Sequence, residues 1–268
     1  MLVRSRLPGG RLQLVVDVGN TETVVGVAPR VDKVVAHWRI SSNVPRTPDE
    51  LTALLRALLA GESIEPSTLG RGVIGSVVPA LNQVWTESLS KIVQGPVVSV
   101  GPGSKLPIRL DVDEPQTVGA DRIANTLAAR EIYGKDTIAV DLGTATTFDC
   151  ITREGVFIGG VISPGLQAGL DWLSARTAKL PRVELQPPKV VIGRRTEACI
   201  QSGVFYQAVD AVDGIVRRIK QEWKKPDAFV VATGGFCHVI GPHLTTVDEV
   251  EPYLTLYGLA MAGERIGG

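Results

Sequence analysis

Two segments of this 268-residue chain share a pattern of aspartate, glycine and threonine that suits phosphate binding. The first reads Val15-Val16-Asp17-Val18-Gly19-Asn20-Thr21, and the second reads Ala139-Val140-Asp141-Leu142-Gly143-Thr144. In each, an apolar strand ends in aspartate, and a glycine two residues later opens a threonine-bearing turn before a second apolar strand. The repeat predicts two copies of one β-hairpin that face each other across a cleft.

Both the side chains and the backbone of these turns are suited to binding phosphate. Glycine lets the chain turn sharply and brings main-chain N–H groups up to a phosphate. The hydroxyls of Thr21, Thr144 and Thr146 add donors, and a strand-end carboxylate such as Asp17 or Asp141 can hold a cation directly or through water. Two ordinary hairpins with glycine turns are the alternative, and the agreement between the copies argues against it.

A third group of reactive residues opens a predicted helix at Thr117-Val118-Gly119-Ala120-Asp121-Arg122. Asp121 lies in the first helical turn, where the helix dipole favours negative charge, so it could serve only the helix. In this sequence Arg122, with its guanidinium group, directly follows Asp121. The pair could therefore activate a hydroxyl and bind an acid group of a substrate.

Glycine pairs mark three further turns. Thr233-Gly234-Gly235 follows an apolar strand and would let a nucleobase or ribose lie close to the backbone, although a plain strand-end turn has the same sequence. Gly159-Gly160 and Pro164-Gly165 punctuate the region after the second hairpin and could shape the site or be purely structural. Residues 101–105 lack the spacing of a Walker A loop, and no strand is followed by a dinucleotide-binding glycine motif.

Composition excludes several classes of function. Lys+Arg and Asp+Glu each total 28, so the net charge is zero and gives no reason to expect nucleic acid or an anionic membrane as partner. No apolar run approaches the roughly 20 residues that span a bilayer. Residues 1–11 are predicted to be a flexible extension, not a secretory signal. Three dispersed cysteines, Cys150, Cys199 and Cys237, suggest reduced thiols in a cytoplasmic protein.

The elements expected to position these residues form two similar series. In the first half the pattern predicts strands at 12–28 (two), 34–40, 73–78 and 97–100, and helices at 48–60, 80–93 and 120–133. The helix at 48 opens with a capping box, Thr47-Pro48-Asp49-Glu50. In the second half it predicts strands at 137–142, 146–152, 156–162 and 229–232, and helices at 166–176, 197–223 and 254–265. Thr196 is the expected N-cap of the long helix.

This order predicts an α/β protein built from two lobes, residues 12–116 and 117–268, each a mixed sheet flanked by helices. The arrangement resembles the ribonuclease H-like fold of actin-like ATPases, in which the cleft lies between the lobes.

Four motifs, by their order and spacing, resemble the type III pantothenate kinase family over almost the whole chain. They are Asp17-Val18-Gly19-Asn20-Thr21, Gly119-Ala120-Asp121-Arg122, Asp141-Leu142-Gly143-Thr144-Ala145-Thr146-Thr147 and Thr233-Gly234-Gly235. The resemblance implies ATP-dependent phosphorylation of pantothenate to 4′-phosphopantothenate, the first step toward coenzyme A. It also implies a homodimer, Mg²⁺ with the ATP, and a monovalent cation, K⁺ or NH₄⁺.

The resemblance gives each motif residue a role. Asp121 is the general base, Asp141 binds the monovalent cation, and Asp17 orders magnesium through water. The residues that bind ATP are Asp17, Val18, Gly19, Asn20, Thr21, Glu22, Thr23, Val24, Thr144, Gly234 and Gly235. The residues that bind pantothenate are Gly119, Ala120, Asp121, Arg122 and Thr196.

This chain departs from the family pattern at three places, all on the pantothenate side. Val112 stands where the family commonly has a tyrosine, and Glu114-Pro115 stands in place of Asn-Pro. The loop at 103–106 is also shorter. These changes leave open a kinase for another small hydroxy compound or a polyphosphate hydrolase. A regulator that binds ATP without turnover is a further alternative, and the intact Asp121, Arg122 and Asp141 argue against it.

Overall fold

The structure is a computed structural model that describes residues 11–177 and 179–266. Most of the extension predicted at 1–11 lies outside the described residues, and Arg11 directly precedes the first strand. Within the part of the chain that the structure describes, no helix is both long and apolar enough to cross a membrane.

Strands and helices alternate along the chain in two series. The strands are β1 (Leu12–Val18), β2 (Glu22–Ala28), β3 (Ala36–Ser41), β4 (Leu69–Ser76), β5 (Val97–Val100), β6 (Arg109–Leu110), β7 (Thr137–Leu142), β8 (Ala145–Ile151), β9 (Val156–Pro164), β10 (Phe229–Thr233) and β11 (Glu249–Val250). The helices are α1 (Pro48–Gly61), α2 (Asn82–Ser90), α3 (Ala120–Ile132), α4 (Leu166–Arg176), α5 (Thr196–Trp223), α6 (Cys237–Ile240) and α7 (Leu254–Ile266).

The two sheets repeat one topology. The first has the order β3-β2-β1-β4-β5, and the second has β9-β8-β7-β10-β11 with β6 added beside β9. In both, the first strand pairs antiparallel with the second and parallel with the fourth. The duplication indicated by the two hairpins therefore extends to five strands in each sheet, and the predicted α/β fold with two similar sheets is confirmed.

Described residues 11–134, 154–157 and 253–266 form one compact unit. Its sheet is covered on both faces, which explains why β1 is almost continuously apolar. On one face, α1 and α2 contribute Leu55 and Trp85 to a core with Val16. Helix α7 packs on the other face, where the Gln13 amide N–H donates to Ala260 O at 3.1 Å.

Residues 135–153 and 158–252 form the second unit, whose core lies between its sheet and α5. The helix contributes Phe205, Val212 and Val216, which are buried with Ile138 and Val230 from the strands. Apolar residues three and four apart on a helix share one face, and these three lie on the buried face of α5.

The predicted lobe boundary after residue 116 does not coincide with this division. Helices α3 and α7 pack against each other so closely that a Cβ atom at Gly258 would overlap the backbone of Ala124. Both helices therefore belong to the first unit. Sequence adjacency alone had assigned them to the second lobe.

Local signals located most elements, with a few corrections. The capping box at Thr47 is confirmed, with Glu50 N–H donating to the Thr47 hydroxyl and Glu50 bonding back to Thr47 N–H. The prediction that Thr196 caps α5 is wrong, because Arg195 has the extended N-cap conformation and Thr196 is the first helical residue. Strand β4 starts at Leu69, four residues earlier than predicted.

Candidate active site

The first Asp-x-Gly turn connects β1 and β2 and exposes its polar side chains. Asp17 pairs with Val24 in the antiparallel register, and the Gly19 N–H donates to Glu22 O at 3.1 Å. A Cβ atom at Gly19 would lie 2.7 Å from Glu22 O, so this position requires glycine or a shift of the turn. Asn20 and Glu22 are exposed, and Asp17 is half-buried at the strand end.

Neighbouring contacts fix the conformation of this turn. The Ser42 N–H donates to Thr21 O at 2.9 Å, and the buried Thr23 hydroxyl shares a hydrogen bond of 2.9 Å with the Ser42 hydroxyl. Glu22 accepts a hydrogen bond from Arg39 at 2.9 Å. The predicted ATP residues Glu22 and Thr23 thus have partners that hold the hairpin, whereas Asn20 projects from the turn.

The carboxyl ends of two parallel strands bring this turn beside the start of α3. Asp17 is the register partner of Gly75 in β4, and the Val77 N–H donates to Val18 O at 3.1 Å. The Val77 side chain lies 3.1 Å from where a Cβ of Gly119 would be. The hairpin turn and the predicted substrate motif therefore meet within the first unit, through Val77.

Asp121 is the second residue of α3, and its carboxylate turns back on the helix start. The Arg122 N–H donates to Asp121 Oδ1 at 2.8 Å, and a Cβ atom at the N-cap Gly119 would overlap this oxygen. Burial raises the pKa of Asp121 above the ordinary aspartate value, and the N–H and charge of Arg122 oppose this only in part. A raised pKa brings a carboxylate nearer to the ideal for a general base at neutral pH.

The guanidinium of Arg122 lies over an aromatic ring. Its Cζ is 4.8 Å from the ring centroid of Phe157, the second residue of β9, and that side chain is fully buried. Arg122 itself is half-buried, and the adjacent Ala120 is buried. The three motif residues Gly119, Asp121 and Arg122 all lie in the first unit, as does Phe157.

The second Asp-x-Gly turn connects β7 and β8 and is one residue shorter than the first. Asp141 pairs with Thr147 and Leu142 with Thr146, so only Gly143 and Thr144 form the turn. The Gly143 N–H donates to Ala145 O at 3.1 Å, the counterpart of the bond in the first turn. Thr144 is exposed.

Two other glycines enclose this second turn. The Gly165 N–H donates to Thr144 O at 3.1 Å, and a Cβ atom at Gly165 would overlap that oxygen. Gly234 has a φ of +87°, and a Cβ there would overlap Asp141 Oδ1 and lie 2.7 Å from Leu142 N. Asp141, Thr144 and Gly234, which the sequence predicted as site residues, therefore form one cluster in the second unit.

The surroundings of Asp141 suit a hard cation. Its register partner in β10, Thr233, has a buried hydroxyl that makes no hydrogen bond within the described residues. A carboxylate and a hydroxyl are oxygen ligands of the kind that hard cations take. Within residues 11–177 and 179–266 no three His, Cys, Asp or Glu side chains form a group that could hold a metal by themselves.

The position of Thr196 and the contact between Arg122 and Phe157 show which features of the site the sequence could predict. Thr196, predicted to bind substrate, lies exposed at the first position of α5 in the second unit. Phe157 and Ser42 were not singled out from the sequence. A single aromatic residue in a strand gives no signal of the cation above it, because the contact joins β9 to α3 over a long stretch of chain.

Solved structures agree with the fold class. The chain superposes on a structure described as a conserved Baf family transcriptional activator from Campylobacter jejuni with a TM-score of 0.57 at 17% identity, covering 93% of this chain and 96% of that one. It also superposes on MreB 5 of Spiroplasma citri bound to AMPPNP with a TM-score of 0.51 at 9% identity, covering 97% and 98%. The protein therefore has the fold of the actin-like ATPases.

Sequence comparison identifies the family. The family model for type III pantothenate kinase matches residues 13–218. A curated type III pantothenate kinase of Moorella thermoacetica is 43% identical over 252 residues, which is 94% of this chain and 98% of that protein. This chain belongs to the type III pantothenate kinase family.

Proposed function

We propose that this protein transfers the γ-phosphoryl group of ATP to the hydroxyl of pantothenate, giving 4′-phosphopantothenate for coenzyme A synthesis, with Asp121 as general base. The observation that carries the proposal is Asp121 at the start of α3, whose burial raises its pKa and whose neighbour Gly119 meets Val77, the residue that bonds to Val18 before the first turn. Identity of 43% to a curated family member along nearly the whole chain supports the reaction.

On the nucleotide side, backbone N–H groups of the two turns bind the phosphates. Asn20 and Thr21 are exposed in the first turn, and Thr144 is exposed in the second. We assign ATP binding to the full set predicted from the sequence, which is Asp17, Val18, Gly19, Asn20, Thr21, Glu22, Thr23, Val24, Thr144, Gly234 and Gly235. Glycine at the turn starts keeps side chains away from the phosphate oxygens.

On the acceptor side, Asp121 accepts the proton of the hydroxyl while Arg122 binds the carboxylate of pantothenate. A guanidinium suits a carboxylate because its planar N–H groups match the two oxygens. Phosphoryl transfer depends mostly on positioning and on stabilisation of charge, so the fixed placement of both groups on α3 is what this unit contributes. We also assign substrate binding to Thr196, following the family pattern.

Two cations fit the residues present. Kinases that use ATP require a divalent metal in general, and Asp17 is placed to order Mg²⁺ through water beside the first turn. Asp141 and Thr233 would hold a monovalent cation, K⁺ or NH₄⁺, which supplies fixed positive charge toward the phosphates.

A homodimer in the cytoplasm completes the proposal. Large apolar side chains exposed in the second unit would suit cover by a second copy, and they are Ile162, Trp172, Val190, Val191 and Ile192. The three cysteines are dispersed along the sequence, which is typical of a protein whose thiols stay reduced in the cytoplasm. Light scattering after size exclusion measures the mass, and a monomer at micromolar concentration would refute the dimer.

The test is ATP turnover with and without pantothenate, in sodium and in potassium buffer. Turnover that requires pantothenate and rises in potassium is expected. Asp121→Asn should lower kcat at least about a hundredfold, since a general base typically contributes ~10²–10⁴-fold, and should leave ATP affinity unchanged. Asp113→Asn, an exposed acid in the loop before α3, is the matched control and should retain activity.

The outcomes separate the alternatives. Near-normal turnover by Asp121→Asn would remove the base assignment. Turnover with other hydroxy acids but not with pantothenate would point to a different acceptor, which the presence of Val112 and Glu114 makes worth testing. Nucleotide binding without any turnover would indicate a regulator.

A further inference from the structure

The backbone of Phe157 is hydrogen-bonded within the first unit, which also contains Arg122. Residues 154–157 belong to that unit, whereas the strand from residue 158 onward belongs to the second. Leu110 in β6 is the parallel register partner of Phe157, and the Asp111 N–H donates to Phe157 O at 2.8 Å. The ring is only 1% exposed, so its position is fixed by packing as well as by the strand.

The ring contacts the charged end of Arg122. The guanidinium carbon lies 4.8 Å from the ring centroid, within the roughly 6 Å at which a cation over a ring face is attracted by the ring quadrupole. The attraction strengthens when the cation is partly withdrawn from water, and Arg122 is half-buried. An aromatic face attracts a cation without using any of its N–H donors.

A long side chain at a binding site loses affinity if it must be ordered by the ligand. Arginine loses much rotamer entropy when it is ordered, and a partner that orders it in advance reduces what the ligand must supply. The backbone of Arg122 is already committed, because its N–H donates to Asp121 Oδ1 and its carbonyl accepts from the Thr126 hydroxyl. The ring of Phe157 contacts the other end of the side chain and helps to order it.

We propose that Phe157 is a positioning residue for Arg122 and so determines affinity for the acid group of the acceptor. The inference rests on the proposed function, in which Arg122 binds the carboxylate of pantothenate. It gives a role to the segment 154–157, whose pairing with β6 places the ring.

Stepwise fluorination of the Phe157 ring tests the proposal, because each fluorine weakens the attraction of the face for a cation and hardly changes the shape. With mono-, di- and trifluorophenylalanine at 157, the KM for pantothenate should rise stepwise to a total of roughly 3- to 30-fold. The KM for ATP should stay constant, and kcat should change little. The same substitutions at Phe148, a buried strand residue in the core of the second unit, are the control and should leave every constant unchanged.

An acceptor that lacks the carboxylate provides a second test. For the corresponding alcohol, pantothenol, the KM should not respond to fluorination of Phe157. A KM for pantothenate that ignores the number of fluorines, or one that changes equally for both acceptors, would overturn the proposal.

A measurement independent of activity separates this inference from the proposed function. The ring current of Phe157 should displace the NMR resonances of the Arg122 guanidinium, and Phe157→Leu should remove that displacement while a thermal scan confirms folding. No displacement in the wild type would overturn the positioning role whatever the enzyme phosphorylates. A displaced resonance in a protein that does not turn over pantothenate would overturn the proposed function and with it the effect on affinity.

Discussion

The two Asp-x-Gly turns begin alike and end in different surroundings. The first, between β1 and β2, has three residues and exposes Asn20. The second, between β7 and β8, has two residues and is enclosed by Gly165 and Gly234, whose missing Cβ atoms leave room for Thr144 O and Asp141 Oδ1. Duplication thus preserved the strand order and the leading glycine, while the length of the turn and the contacts around it diverged.

A similar contrast exists between two aspartates on helices. Asp121, in the first unit, accepts a backbone hydrogen bond from Arg122, and burial raises its pKa. Asp213, on α5 in the second unit, is also pushed toward a higher pKa by burial, but Thr245 and Thr246 donate both their hydroxyls and their N–H groups, and the net pKa is lowered. Donors around a buried carboxylate therefore decide whether it is poised to take a proton or serves to hold two segments together.

The largest effect is expected from filling the space behind the second turn. Gly234→Ala must adopt a positive φ and displace Asp141 or the backbone of Leu142, so it should destabilise the protein by roughly 3 kcal/mol. Gly19→Ala meets one carbonyl in an exposed turn and should cost about 1 kcal/mol. Urea unfolding measures both.

The control for this comparison is Gly203→Ala, because Gly203 lies inside α5 with nothing within 4 Å of its Cβ position. It should stabilise the protein by up to about 1 kcal/mol. Equal losses at Gly19 and Gly234 would show that the two turns are constrained alike.

Removing the charge of Asp213 should have the next largest effect. The carboxylate is only 7% exposed, and an amide cannot accept from all the threonine donors, so Asp213→Asn should cost about 2 kcal/mol at pH 7. Because the pKa of Asp213 is lowered on folding, its stabilisation is present above the unfolded-state pKa and is lost as the pH falls through the folded value. The two proteins should therefore begin to converge in stability as the pH falls below about 4, and should converge fully only below the folded-state pKa of Asp213. A difference that persists unchanged into acid would contradict this.

Asp121→Asn should produce a smaller effect of opposite sign. Because the folded-state pKa of Asp121 is raised, its contribution to stability is fully present below the unfolded-state pKa and is lost as the pH rises through the folded value. The asparagine variant avoids this loss. Its melting temperature should exceed that of the wild type at pH 8, by up to about 3 °C, and the excess should vanish in acid. A variant less stable than the wild type at pH 8 would show that the carboxylate is structural.

The smallest effect is expected at the surface pair on the first hairpin. Glu22 and Arg39 are 2.9 Å apart, and their side chains are 51% and 46% exposed. Pairs of this kind contribute little, so Glu22→Gln should change stability by less than about 0.5 kcal/mol. Urea unfolding of the two proteins measures this difference. A loss well above this value would show that the pair holds the hairpin in place.

How much the sequence could predict depends on how far apart the interacting residues lie. The capping box at Thr47 and the hairpin at Gly19 are local, and residues within one turn determine them. The positive φ of Gly234 and its fit against Asp141 depend on two strands far apart in sequence, so a weak strand-end motif could not reveal them. The two-residue strands β6 and β11 are too short to carry a periodicity, and they exist only through their partners.

The assignment of helices to units failed for the same physical reason. Nothing in the sequence of α7 distinguishes packing on one sheet from packing on the other. The choice is made by close contacts, such as Leu256 against Gly26 and Leu259 against Gly75, which need both partners in place. The sequence revealed the site residues on α3 because their side chains are chemically distinctive. It did not reveal to which unit α3 belongs.

The place of α7 in the first unit also affects how the chain folds during its synthesis. The sheet of that unit is complete by residue 100, whereas α7, which covers one of its faces, begins only at residue 254. At typical rates of ~5–20 residues per second, the segment between them takes roughly 8–30 seconds to synthesise. During that interval Val15 and Val73 lack their cover, so a nascent chain stopped before residue 253 is a ready substrate for holding chaperones.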